Sequence, residues 1–79
     1  MKFRMYYTAS RGDHDWINLK ETFSASSYRE AALAARRFIR NENRHSRWWH
    51  KLNALCKVEK TAGHMIEKRL NVSQILRRT

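Results

Sequence analysis

The stretch from Ser27 to Arg47 constrains the fold more than any other part of this chain. Ser27 followed by Glu30 fits a capping box, in which the serine hydroxyl accepts from a free helical amide and the glutamate bonds back to the cap's own N–H. The alanine-rich run that follows has high helix propensity. One face of the predicted helix carries small and apolar side chains: Tyr28, Ala31, Ala32, Ala35, Phe38 and Ile39. Such a helix can lie close against a sheet, and Asn41 and Asn43 predict that it ends near them.

The residues before this helix alternate between apolar and polar side chains. In residues 2–9 a period of two with aromatic residues indicates a half-buried strand. Its apolar positions are Phe3, Met5 and Tyr7. The polar segment 10–15 contains a glycine and predicts a turn, with Asp13 and Asp15 bonding to nearby backbone amides. Residues 16–23 alternate again, so the two segments together predict an antiparallel hairpin.

The residues after the helix indicate a third strand and allow two interpretations of the C-terminal segment. Apolar and polar residues alternate over 52–58, although Leu55 breaks the strict pattern. The side chains expected to point inward are Leu52, Ala54, Cys56 and Val58. Residues 61–63 predict a turn. Residues 65–72 favour a fourth strand with Ile66, Leu70 and Val72 inward, while a helix over Ile66, Leu70 and Ser73 fits the pattern nearly as well.

The order strand–strand–helix–strand–strand predicts an α+β fold, in which one helix covers one face of a small antiparallel sheet. We expect a single domain over residues 1–79, because a chain of this length can build only one small core. A single cysteine excludes an internal disulfide and a cysteine-based zinc site, so we interpret Cys56 as a core thiol. The N-terminal residues lack the apolar run of a signal peptide, and no stretch is long enough for a membrane span. We therefore expect a cytoplasmic protein with no membrane partner.

The charge of this chain predicts a polyanionic partner. Its 17 Lys and Arg residues against 7 Asp and Glu give a formal charge of +10. Arg36, Arg40 and Arg44 follow one another at helical spacing, and each like-charged pair costs a few tenths of a kcal/mol. A solvated helix face normally mixes the two signs, but the only acidic residues between Arg29 and Arg47 are Glu30 and Glu42. This uncompensated repulsion favours a ligand that supplies negative charge.

Two tryptophans and a lysine follow the arginines directly. Adjacent residues on a strand point to opposite faces, so we expect one of Trp48 and Trp49 in the core and the other exposed for stacking on a base. Which of the two is exposed stays open, and Tyr6 is a weaker stacking candidate. RNA is favoured over DNA, because no helix-turn-helix pattern is present and exposed aromatic rings suit unpaired bases. The predicted RNA-binding residues are Arg36, Arg37, Arg40, Arg44, Arg47, Trp48, Trp49 and Lys51.

Two other functions stay open at this point. The basic face can dock on an acidic host protein, or His45 and His50 can act as acid and base in a small ribonuclease. The second requires both imidazoles to face one phosphate. The four histidines have no helical i, i+4 pair, so we expect no metal and no other cofactor. Our interpretation is a non-catalytic RNA-binding protein rather than an enzyme.

The same residues carry a resemblance to a known class of proteins. With Arg36, Arg37, Arg40, Arg44, Arg47, Trp48 and Trp49, the chain resembles small basic phage-encoded accessory proteins. Among these it is most similar to the TifA-like RNA-binding inhibitors of a toxin endoribonuclease. The likeness is one of composition and includes no alignable motif. It implies a location in the host cytoplasm, a toxin target, RNA as part of the inhibitory assembly, and no catalytic activity.

Overall fold

The computed structural model describes residues 1–12 and 15–77, which form a four-stranded antiparallel sheet and two helices. The elements in chain order are β1 (Lys2–Arg11), β2 (Asp15–Ser24), α1 (Tyr28–His45), β3 (Trp49–Thr61), β4 (His64–Leu70) and α2 (Val72–Arg77). The strands lie in the order β2-β1-β3-β4. The predicted α+β class and its strand–strand–helix–strand–strand order are confirmed, and α2 is an additional element at the C-terminal end.

The core lies between α1 and one face of the sheet, which we call the inner face. The alternation in β1 is confirmed, because its apolar positions are buried there and its polar positions lie on the opposite, outer face. The buried cluster consists of Phe3, Met5, Tyr7, Leu55, Ala31, Ala32 and Ala35. The three alanines are the contact face of α1, and their small size lets the helix backbone approach the aromatic rings of β1. A larger side chain at any of them would overpack this thin core, at a cost of about 1–3 kcal/mol.

The start of α1 follows the prediction with one change. The Ser27 hydroxyl accepts from the Glu30 N–H at 3.1 Å, so Ser27 is the N-cap. The Glu30 carboxylate does not return to the N–H of Ser27 as the capping box requires. It accepts instead from the hydroxyl of Ser26 and from the Ser26 backbone N–H, the latter at 3.3 Å. These bonds, chiefly the one from the Ser26 hydroxyl, hold the pKa of Glu30 below its ordinary value.

The helix does not end near Asn41 and Asn43 but continues to His45. Asn43 faces β3 rather than breaking the helix. Its amide Nδ2 donates to the His50 carbonyl at 3.1 Å, and its Oδ1 accepts from the His50 N–H at 2.6 Å. Asn43 therefore ties the last turn of α1 to the beginning of β3.

The predicted inward face of β3 is wrong from Ala54 onwards. A bulge interrupts the pairing with β1, so that Tyr6 lies opposite Ala54 whereas Tyr7 lies opposite Leu52. The extra residue reverses the alternation. Leu55, which broke the sequence pattern, is fully buried on the inner face, while Ala54, Cys56 and Val58 lie on the outer face. Cys56 is buried, as expected of a structural thiol, but on the side away from α1.

The C-terminal segment is neither of the two predicted alternatives alone. The strand ends at Leu70, earlier than predicted. Ile66 lies on the same face of β4 as Leu70, as predicted, but it is exposed. Asn71 then starts a new helix, because its side chain accepts from the Gln74 N–H at 3.0 Å. The helix α2 packs three apolar side chains against the core: Val72, Ile75 and Leu76.

The second turn of the sheet lies where the sequence predicted it, and the strands of the first hairpin end and begin within the predicted turn segment, at Arg11 and Asp15. Arg11 and Asp15 close the first hairpin with an ion pair of 3.5 Å, while the turn contact predicted for Asp13 falls outside the described residues. In the second hairpin, Ala62 and Gly63 both have positive φ, of 47° and 83°. Two such residues between antiparallel strands form a type I′ turn. Neither helix in the described part of the chain is long and apolar enough to cross a bilayer.

Candidate nucleic-acid interface

The outward face of α1 carries a cluster of exposed arginines, which we call the arginine arc. Its members are Arg29, Arg36, Arg37, Arg40 and Arg44, and all five are exposed. At about 100° per residue, they fall within roughly 100° of the helix circumference. The opposite side of the helix is the buried alanine face, so the amphipathic pattern that docks α1 on the sheet also directs every one of these guanidinium groups to solvent.

No carboxylate in the described ranges neutralises the arginine arc. The ion pairs of lysine and arginine found there are Arg4–Glu67, Arg11–Asp15 and Lys57–Glu59. Glu30 is held by Ser26 at the helix start, and Glu42 is turned towards the sheet, where one of its oxygens lies 3.9 Å from Nε2 of His50. The repulsion inferred from the sequence is therefore not relieved by the two acidic residues of α1.

The arginine arc borders a shallow groove on one side and a second depression on the other. Arg36, Arg40 and Arg44 line the groove, which lies between α1, the first residues of β3 and the start of α2. Its remaining lining residues are Ile39, Asn43, Trp49, Leu52, Val72 and Ser73. Arg37 lines the second depression, to which Arg40 and Arg44 also contribute. Arg40 and Arg44 therefore lie between the groove and the second depression and line both.

The two adjacent tryptophans differ in environment. Trp49 begins β3, is 65% exposed and lines the groove beside the arginines. Trp48 lies before the strand and is half-buried, with the Arg11 guanidinium 5.5 Å from the centre of its ring. The expectation that one of the pair is exposed holds for Trp49. The expectation that the other is a core residue is wrong, because Trp48 precedes the strand and the argument from alternating faces does not apply to it.

The two other predicted contacts lie apart from the groove. Arg47 is exposed in the segment between α1 and β3. Lys51 is exposed too, but it pairs with Thr8 on the outer face of the sheet. The sequence predicted that Lys51 binds RNA together with the arginines of α1. In the structure Lys51 does not extend the arginine arc, because the sheet separates it from the helix. Of the eight predicted residues, the structure gathers Arg36, Arg40, Arg44 and Trp49 in one groove.

The histidines proposed for acid–base chemistry are in unlike positions. His50 is only 7% exposed, and its ring lies on the inner face against Tyr7 and Asn43. His45 is exposed at the end of α1, where its Nδ1 lies 3.0 Å from the Asn41 carbonyl oxygen. An imidazole buried in this way cannot reach a phosphate in solvent. Within the described ranges there is also no cluster of three or more residues of the metal-binding types His, Cys, Asp and Glu.

A hydrogen-bond network joins the strands on the outer face. Glu67 of β4 accepts from Arg4 at 2.6 Å and from the Tyr6 hydroxyl at 2.6 and 2.7 Å. Arg4 also donates from Nε to Thr22 of β2 at 3.0 Å. These side chains cross over β3, where the small Ala54 and Cys56 leave room. Tyr6, the weaker stacking candidate, is therefore engaged within the protein.

Trp16, which was not among the predicted binding residues, is 62% exposed in β2. The signal was present in the alternation, because Trp16 occupies the polar side of the strand together with Asn18, Lys20 and Thr22. A large aromatic residue on a polar face has no core to enter. The alternation alone therefore predicts an exposed ring at Trp16.

Comparison of the chain with protein-family models, with curated proteins and with solved structures gives no match. The candidate interface is accordingly defined by its own geometry: an arginine arc with no acidic partner among the described residues, bordered by an exposed tryptophan.

Proposed function

We propose that this chain is a non-catalytic RNA-binding protein. The observation that carries the proposal is the arginine arc, because five exposed guanidinium groups share one side of α1 and no carboxylate of the described residues pairs with them. Arginine forks match phosphate oxygens in a bidentate manner, and counterion release from the polyanion supplies most of the affinity.

The spacing within the arginine arc suits a backbone that runs along the helix. Arg36, Arg40 and Arg44 recur about every 6 Å along α1, given a rise of 1.5 Å per residue. A nucleic-acid strand in the groove would meet one guanidinium group per helical turn. Trp49, at the end of this row, offers its exposed ring to an unpaired base. Contacts of this kind predict weak sequence selectivity and a steep dependence on salt.

The chemistry of the site favours RNA binding without cleavage. Exposed aromatic rings suit the splayed bases of single-stranded RNA better than a DNA duplex. Because His50 is buried, the predicted pair of His45 and His50 cannot face one phosphate together for general acid–base catalysis. Docking of the basic face on an acidic protein is the alternative function, and competition between an acidic polymer and RNA distinguishes the two.

The resemblance to TifA-like inhibitors supplies a biological setting for this proposal. In that setting the arginine arc holds RNA in an assembly with a toxin endoribonuclease of the host. The expectation is that inhibition of such a toxin is lost when the arginine arc is neutralised, and that RNase treatment of the assembly has the same effect.

The test is the salt dependence of binding to a fluorescently labelled single-stranded RNA. With about five phosphate contacts at roughly −0.7 each, log K should fall against log salt with a slope near −3.5. Arg40→Ala should weaken binding to all RNA sequences about equally and make the slope shallower by about 0.7. The matched control is Lys60→Ala, which removes the same charge from an exposed residue near the far end of β3 and should leave the slope unchanged.

Three results would count against the proposal. A slope near zero would exclude phosphate contacts as the source of affinity. Equal losses for Arg40→Ala and Lys60→Ala would mean that net charge rather than the arginine arc attracts the RNA. Polyglutamate, added as a competitor at equal charge, should displace RNA poorly; complete displacement would favour an acidic protein as the natural partner.

A further inference from the structure

Two exposed tryptophans lie opposite the same serine on the outer face of the sheet. Ser10 of β1 pairs with Trp16 of β2 on one side and with Trp49 of β3 on the other. The next residues along β1 and β3, Ala9 and His50, are buried on the inner face, so this row belongs to the outer face. The two tryptophans therefore flank one small side chain across three neighbouring strands.

The spacing of this row fits a planar ligand between the rings. Neighbouring strands lie about 4.8 Å apart, which separates the Cα atoms of Trp16 and Trp49 by about 10 Å. Stacked aromatic rings have centroids about 4.5 Å apart or more, so two such contacts with one base between them fill this distance. The aromatic contacts found in the described residues do not include one between Trp16 and Trp49. The space above Ser10 is therefore not filled by one tryptophan stacking on the other.

The surroundings of the row favour a nucleic acid over an apolar partner. Lys51 lies one row away, opposite Thr8, and is exposed. Thr8 connects two amide side chains, because it accepts from Asn53 at 2.6 Å and donates to Asn18 at 3.0 Å. Beside the tryptophans there is thus a cation for a phosphate and amide groups for a base edge. The acid nearest in sequence, Asp15, is paired with Arg11.

The row is continuous with the arginine arc through Trp49. This residue stands opposite Ser10 and also lines the groove with Arg40 and Arg44. The molecule is 18 Å across its shortest axis. A nucleic-acid strand that contacts both the arginine arc and the outer face must therefore turn sharply around the beginning of β3. A duplex is stiff on this scale, with a persistence length of about 150 base pairs for DNA, whereas a single strand bends freely.

We propose that Trp16 and Trp49 form an aromatic clamp that takes one unpaired base of single-stranded RNA between their rings. This inference rests on the proposed RNA-binding function and names its substrate class. The phosphates on one side of the clamped base follow the arginine arc, and Lys51 contacts the backbone on the outer face. Trp16 becomes a binding residue in a strand that the arginine arc does not reach.

The test compares single-stranded with fully paired RNA of the same length for the variant Trp16→Ala. Loss of one stacking contact should weaken single-strand binding about 5- to 150-fold, leave the salt slope unchanged and spare the duplex. Trp16→Phe, which retains a ring, should recover most of the affinity. The matched control is Met65→Ala, because Met65 is an exposed apolar residue of β4 outside this row and its loss should have no effect. Thermal melting of each variant shows that it is folded.

The outcomes separate the clamp from the function on which it rests. If Trp16→Ala binds single-stranded RNA like the parent while Arg40→Ala binds weakly, the clamp is wrong and the arginine arc stands. If Trp16→Ala loses affinity for single-stranded and for duplex RNA to the same extent, an unpaired base is not the ligand and the clamp is again wrong. If neither variant loses affinity, both proposals fail.

Discussion

Glu67 shows how a single residue connects the strands of the outer face. It lies on the edge strand β4, yet its carboxylate reaches over β3 to Tyr6 and Arg4 on β1. The pKa of Glu67 is held below its ordinary value of 4.5. The main cause is the hydrogen bond from the Tyr6 hydroxyl, and the hydrogen bond and positive charge of Arg4 lower the pKa further. The same contact raises the pKa of Tyr6, because its proton is shared with a carboxylate.

This geometry predicts how stability responds to acid. The folded pKa of Glu67 lies below its unfolded value, so the stabilisation is fully present above pH 4.5 and is lost as the pH falls through the lower folded pKa. Glu67→Gln should therefore lower Tm at pH 7 but flatten the decline of Tm below pH 4.5. Circular dichroism melts from pH 7 to pH 2 provide the measurement. Glu21→Gln, at an exposed position of β2, should keep the parent's acid slope; an unchanged slope in Glu67→Gln as well would contradict the network.

At the scale of elements, the hairpin of β3 and β4 contains the one strained position among the described non-glycine residues. Ala62 has a φ of 47°, in the left-handed region that costs an ordinary residue about 1–2 kcal/mol. Asn followed by Gly is the preferred pair for a type I′ turn, because Asn tolerates this conformation. The sequence indicated a turn at this place but not the strain within it.

Relief of this strain should stabilise the protein. Ala62→Asn is expected to raise the unfolding free energy by about 1 kcal/mol, which corresponds to a Tm increase of roughly 4–8 °C for a domain of this size. Gly63→Ala is the matched control, and we expect the opposite effect, a lower Tm. No atom lies within 4 Å of its added Cβ, so any loss of Tm comes from the φ of 83° rather than from a clash. A lower Tm for Ala62→Asn would exclude the type I′ geometry.

The elements also show which sequence signals are sufficient to predict the fold and which are not. The strict alternation of β1 and the cap at Ser27 are local signals, and both are confirmed. The bulge in β3 depends on pairing with β1, so the inward position of Leu55 was not readable from β3 alone. Asn43 resembles a helix terminator in isolation, but its two bonds to His50 exist only after α1 lies on the sheet. Tertiary contacts therefore decided each of these misplaced features.

At the scale of the whole molecule, the fold separates two surfaces that the sequence intermixes. The arginine arc lies on the helix layer, whereas Lys51 and Trp16 belong to the outer face of the sheet. The composition of residues 29–51 was sufficient to expect a basic, aromatic surface, and Trp49 is the residue at which the two surfaces meet. Its position required the start of β3 and its register with β1, which no local pattern specifies.

The most direct test of the proposed RNA binding by the arginine arc is an NMR titration that follows the Nε–Hε signals of the arginine side chains. On addition of single-stranded RNA at low salt, we expect the signals of Arg36, Arg40 and Arg44 to shift, and added salt should reverse these shifts. The signal of Arg4, whose Nε already donates to Thr22, should stay in place. If the signals of the arginine arc stay unchanged while RNA is bound, the proposed interface is contradicted.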